Sequence, residues 1–79
     1  MVVDVDTVGA YVVFWYDEDD EGDFVIVDEI WRSSFDECLD DARYSWGLPF
    51  EICQCVRGSF GEKAYKRVAR SACYAQIFE

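Results

Sequence analysis

Ala10-Tyr11-Val12-Val13-Phe14-Trp15-Tyr16, then Asp17-Glu18-Asp19-Asp20-Glu21-Gly22-Asp23, then Phe24-Val25-Ile26-Val27, is the stretch on which the fold turns. Its first seven residues are mostly β-branched or aromatic, which fits a strand covered on both faces, so they are expected to form the central strand of a sheet. The acidic run with Gly22 near its end reads as a connection. Strand character then resumes from Phe24 to Ile30 or Trp31, and the three pieces together predict a β-hairpin.

Upstream, Val2-Val3-Asp4-Val5-Asp6-Thr7-Val8 alternates apolar and acidic residues and is expected to be an edge strand with one wet face. Downstream, Ser34 followed three residues later by Glu37 matches a capping box and predicts a helix from there to about Trp46. Phe35, Cys38, Leu39, Ala42 and Trp46 fall on one apolar stripe, with Asp36, Glu37, Asp40, Asp41 and Tyr44 pointing elsewhere. Gly47 and Pro49 stop this helix. Phe50 to Val56 alternates as a further strand. After Gly58-Ser59, the ridge Phe60, Ala64, Val68 and Ala72 predicts a final helix of about 18 residues ending near Ile77. The expected fold is α+β in the order β-β-β-α-β-α: a small antiparallel sheet of three to four strands, with two helices packed on one face. No repeat or linker is visible, and residues 1–79 read as one compact domain.

The chain has 17 Asp plus Glu, 7 Lys plus Arg and no His, a net charge of −10, yet is 52% hydrophobic. Acidic disordered chains lack aromatic residues, whereas this one has 3 Trp, 5 Tyr and 6 Phe, so it is expected to fold. A domain this small has little room for an enclosed pocket, and without His it lacks the commonest general base and metal ligand, so no enzyme activity is expected. The negative charge would repel nucleic-acid phosphates and an anionic membrane, which argues against direct binding to either. With no apolar run of membrane-span length and no basic region before an apolar one at the start, the expected location is the cytoplasm.

The charge is segregated. Residues 1–56 carry 15 acids and 2 bases, or −13, and residues 57–79 carry 5 bases and 2 acids, or +3. Asp17, Glu18, Asp19, Asp20, Glu21 and Asp23 crowd the hairpin tip, while Asp36, Glu37, Asp40 and Asp41 share the outer face of the first helix. These ten residues are the candidate partner-binding site. One reading is a solvated turn that keeps a hydrophobic hairpin soluble. The other is mimicry, in which closely spaced carboxylates imitate nucleic-acid phosphates and occupy a protein's basic groove. Asp17-x-Asp19-x-Glu21-Gly22 also approaches a calcium-loop pattern, but its flanks read as strands where an EF-hand needs helices, and no metal or cofactor is expected.

Cys38, Cys53, Cys55 and Cys73 make one C-x-C and two solitary helical cysteines, a poor zinc pattern, and read as buried thiols. Lys63, Lys66, Arg67 and Arg70 would form one basic stripe on the final helix, which could meet another copy's acidic hairpin and give self-association.

A small, compact protein with acidic clusters at Asp17 to Asp23 and Asp36 to Asp41 resembles the anti-CRISPR proteins encoded by phages and mobile elements. Several of those are α+β domains that present carboxylates to a CRISPR effector's DNA-binding surface. The resemblance implies a noncatalytic inhibitor, located in the host cytoplasm, that binds a Cascade-type effector of a type I system or another effector nuclease in competition with target DNA. The alternative from a different class is a protein-protein interaction or scaffolding module that uses an aromatic patch (Tyr11, Trp15, Trp31) or a sheet edge.

Overall fold

The computed structural model describes residues 8–44 and 47–79. The expected edge strand at residues 2–8 lies outside them except for Val8, which is in a turn. The described residues form β1 (Tyr11–Glu18), β2 (Phe24–Arg32), α1 (Phe35–Arg43), β3 (Phe50–Arg57), β4 (Lys63–Arg70) and α2 (Ala72–Phe78). The four strands make one antiparallel sheet in the order β2-β1-β3-β4, so the α+β class and the antiparallel sheet are as expected.

β1 is central, and Val12, Val13, Phe14 and Trp15 are all buried, as an uninterrupted apolar run requires. Its alternate side chains divide the core in two. Val13 and Trp15 join Ile52 of β3 and Cys38 and Ala42 of α1, with Phe35, Leu39 and Leu48 packed around them. Val12 and Phe14 face the other way with Cys53, beside Tyr16 and Trp31. On that second side the rings of Trp31 and Tyr65, from opposite edge strands, lie 6.1 Å apart, with Tyr65 also 5.7 Å from Phe14. Edge strands of a flat four-stranded sheet would stand about 14 Å apart at the usual spacing, so this face is concave and the rings close over it.

α1 begins where the capping box predicts. The Ser34 hydroxyl accepts the Glu37 amide at 3.3 Å, and the Glu37 carboxylate accepts the hydroxyls of Ser33 (2.9 Å) and Ser34 (3.3 Å). The helix ends at Arg43, and the expected terminal turn through Ser45 and Trp46 lies outside the described residues.

The long final helix is replaced by a hairpin and a short helix. Gly58 to Glu62 forms a turn, β4 pairs with β3, and only Ala72–Phe78 is helical. An i, i+4 ridge is also compatible with a strand, whose same-face residues recur at every second position, so the spacing of Phe60, Ala64 and Val68 did not discriminate. The deciding features are the positive φ of Gly61 (83°), which shapes the turn, and the strand Ile52-Cys53-Gln54-Cys55, buried or half-buried throughout, which needs a neighbour on its outer side. Phe60 is in the turn, 95% exposed. The basic stripe is consequently dispersed: Lys63, Arg67 and Arg70 are on the Cys53 face, Lys66 is on the opposite face, and Val68 is the extra residue of a β-bulge.

The second helix also packs elsewhere than expected. α2 lies against Tyr16, with Tyr74 and Phe78 rings 5.5 and 5.1 Å from it and Phe78 5.9 Å from Phe24. Those partners are on the face opposite α1, so the helices flank the sheet rather than share a side. The hairpin that displaced the long helix leaves β4 ending beside the start of β3, where Ser71 is tied to Phe50 and starts α2 over the concave face.

The sequence shows no repeat, yet the architecture is two ββα units. β1 and β3 begin 39 positions apart, as do β2 and β4. Their turns close alike: Asp19 N donates to Asp23 O (2.8 Å) and Gly22 N to Asp19 O (3.1 Å), matched by Gly58 N to Glu62 O (2.7 Å) and Gly61 N to Gly58 O (3.0 Å). Gly22 and Gly61 have φ of 86° and 83°, the left-handed conformation that three-residue hairpin loops place at this position.

Candidate functional site

The acidic tip is a rigidly built turn. The Asp19 carboxylate accepts the amides of Glu21 and Asp23, both at 2.9 Å, and Asp17 Oδ1 accepts the Glu18 amide at 2.8 Å. Asp19 thus shapes the loop as an Asx-type acceptor. Glu18, Asp20, Glu21 and Asp23 are exposed and have no ion pair among the described residues, so their carboxylates are presented to solvent.

The acids of α1 divide similarly. Glu37 is engaged by the two serine hydroxyls at the cap. Asp40 makes a loose pair with Arg43 at 3.8 Å, and Asp36 is exposed in the first turn, where the helix dipole favours a negative charge. Asp41 departs from the expected outer face. It is half-buried against the sheet, and Arg32 at the end of β2 meets it at 2.8 Å.

One further carboxylate belongs to this surface although it is not among the ten candidates from the sequence. Asp28 is the cross-strand partner of Trp15. With Asp41 it lines a cleft between α1 and β2, completed by Trp15, Ile30, Tyr44 and Leu48. Asp17 is two positions beyond Trp15 on β1 and shares its face. An acidic row therefore runs from the hairpin tip through Asp17 and Asp28 to the Asp40 and Asp41 end of α1. Asp36 and Glu37 are a turn or more further along the helix, toward the Phe35 ring that packs on Tyr11. The signal for Asp28 was a pair of acids, Asp28-Glu29, interrupting an apolar strand.

Basic charge gathers on the far edge of the sheet, but much of it is spent. Arg67 and Arg70 both grip Glu79, at 2.8 and 2.9 Å, and Arg67 lies over the Tyr74 ring at 5.5 Å. Between these poles, on the concave face, the Glu51 carboxylate accepts the Tyr16 hydroxyl and, at 3.5 Å, the Cys53 thiol. Burial and then the Glu51 charge push the Cys53 thiol up to about 12, and the Tyr16 phenol is raised for the same reasons. Both stay protonated at neutral pH, so neither is an activated nucleophile. Cys38, Cys53 and Cys55 are buried free thiols as expected, whereas Cys73 is exposed because α2 is short and packs through Tyr74 and Phe78 instead.

Among the described residues, no three Cys, Asp or Glu side chains converge in a way that could hold a metal ion, and no helix is long and apolar enough to cross a membrane. Comparison of the chain with protein-family models, with curated proteins and with solved structures finds no match.

Proposed function

We propose that the protein is a noncatalytic inhibitor that lays its acidic row on the basic nucleic-acid-binding surface of a larger protein, as anti-CRISPR proteins of the DNA-mimic kind do to a Cascade-type effector. The observation that carries this reading is the set of exposed carboxylates with no cationic partner among the described residues: Glu18, Asp20, Glu21 and Asp23 at the tip, continued by Asp28. Crowded like charges destabilise a small fold, and a basic partner would relieve that repulsion on binding. Steric blocking and charge competition then act together.

The test is inhibition of target-DNA binding by a purified type I Cascade-type effector, measured by gel mobility shift at low and high salt. Wild type should block the shift and lose potency as salt rises. A variant with Asp20→Asn, Glu21→Gln, Asp36→Asn and Asp40→Asn should block poorly while keeping its fold, because none of those four side chains is needed to shape a turn or cap. Equal inhibition by the two proteins would sink the charge-mimicry mechanism.

A second reading is favoured by one observation. β2 is an edge strand with three consecutive half-exposed apolar residues, Val25 (40%), Ile26 (48%) and Val27 (51%), and such an edge can pair with another chain in a scaffolding complex. Under that reading Ile26→Lys abolishes partner binding and the four-acid variant does not.

A further inference from the structure

The cleft between α1 and β2 has a volume of about 290 Å³. That is at the small end of ligand sites, room for one side chain rather than a cofactor. The Trp15 indole lines it at 5% exposure, and Ile30 and Leu48 add apolar wall. Tyr44, 83% exposed, stands at the rim.

Two features are unspent. First, the cleft's charges do not balance among the described residues. Arg32 neutralises Asp41 at 2.8 Å, but Asp28 has no cation there, its Oδ1 accepting only the Glu29 amide at 2.8 Å. The cleft therefore holds one uncompensated negative charge. Second, the buried Trp15 Nε1–H has no hydrogen-bond partner among the described residues, whereas buried indole donors usually find an acceptor. A fitting occupant brings one positive charge on an apolar stem that can lie beside the Trp15 ring.

We propose that this cleft receives one arginine side chain of the partner, its guanidinium paired with Asp28 beside the Trp15 ring and its aliphatic stem along Ile30 and Leu48. Guanidinium fits better than ammonium because it is planar, weakly hydrated and stacks on aromatic rings. This inference rests on the reading that the partner's surface is basic, and adds where one of its residues is anchored.

The experiment titrates isotope-labelled protein with N-acetyl-L-arginine methylamide and with its neutral isostere, N-acetyl-L-citrulline methylamide, following the Trp15 indole N–H resonance. The arginine compound should give a saturable shift centred on Trp15, Asp28 and Tyr44, with the citrulline compound at least about tenfold weaker, the loss of roughly one charge-assisted contact. Asp28→Asn, an exposed position, should keep the folded spectrum and erase the preference between the two compounds. No saturable shift at Trp15, an equal response to the citrulline compound, or an unchanged preference in Asp28→Asn would overturn the anchor. The wider reading fails separately. If the arginine compound binds here while the Asp20, Glu21, Asp36 and Asp40 variant inhibits like wild type, the anchor stands and charge mimicry falls. If that variant fails to inhibit but the compound does not bind, mimicry stands and the anchor falls.

Discussion

Glu51 is the acceptor that two side chains of the concave face share. A half-buried carboxylate is tolerated there because Tyr16 and Cys53 donate to it, and burial first, then the Glu51 carboxylate, keeps both of those donors protonated well past their ordinary range. The consequence for stability follows from linkage. Folding raises the pKa of two acids, so the native state binds more protons than the unfolded chain once the pH exceeds the ordinary thiol value of 9.0 and then the phenol value of 10.0. The stabilisation is whole below pH 9 and is lost as pH climbs toward the native values. The melting temperature should therefore hold steady from neutrality to about pH 9 and fall beyond it, and Glu51→Gln should make that alkaline limb shallower without abolishing it, because the burial of both groups remains. A melting temperature that is flat to pH 11 in the wild type would refute this account. The same chemistry predicts thiol reactivity. At pH 8 a disulfide reagent should modify Cys73 quickly, since it alone of the four is exposed, and reach Cys38, Cys53 and Cys55 only after denaturant is added. More than one fast thiol in the native protein would show that the core opens readily.

Among the elements, the two ββα units are held together unequally. Ser71 caps α2 by accepting the Tyr74 amide at 3.1 Å, and the same hydroxyl accepts the Phe50 amide at 3.1 Å, tying the second unit's helix to the start of β3. Ser34 accepts one amide, at 3.3 Å. Ser71→Ala should thus cost about 1–2 kcal/mol and Ser34→Ala about 1 kcal/mol or less, measured by urea unfolding. The reverse order would mean that α2 adds little to the fold. Gly22→Ala and Gly61→Ala should each cost about 1–2 kcal/mol through left-handed strain alone, since an added Cβ meets only the distal Glu18 carboxylate oxygen at 4.0 Å in one and nothing nearer in the other. The first unit was legible because its signals agree: a strand buried on both faces, a turn of acids and glycine, and a serine cap ahead of an apolar stripe. The second was not, because Ala64, Val68 and Ala72 satisfy helix and strand spacing alike, and only pairing with β3 separates them. The site was legible in part for a similar reason. Runs of acids announce themselves, but Asp28 shares an otherwise apolar strand with Glu29 alone and gains meaning only when Trp15 and Asp41 are brought beside it.

For the whole molecule, the −10 charge is a problem of distances. The protein spans 36 × 28 × 25 Å, and at about 0.01 M salt the screening length is about 30 Å, so nearly every carboxylate feels every other. At about 1 M salt the screening length is about 3 Å and only adjacent groups interact. The ion pairs of Arg32, Arg43, Arg67 and Arg70 are partly or largely exposed, with side-chain exposures from 26% to 72%, so screening them loses little. Repulsion wins this comparison, and added salt should raise the melting temperature rather than lower it. Neutralising Asp20, Glu21, Asp36 and Asp40 leaves −6 in place of −10, so that variant should melt higher than wild type at low salt and gain less from added salt. The result bears on function because the same variant should inhibit worse. A surface whose removal improves the fold and impairs the activity is retained for the partner it meets, whereas a surface that merely keeps a hydrophobic hairpin in solution should, when neutralised, bring aggregation with inhibition intact. Melting the two proteins across a salt series, with their inhibition of DNA binding measured in parallel, separates the cases, and a variant no more stable than wild type at low salt would remove the repulsion argument.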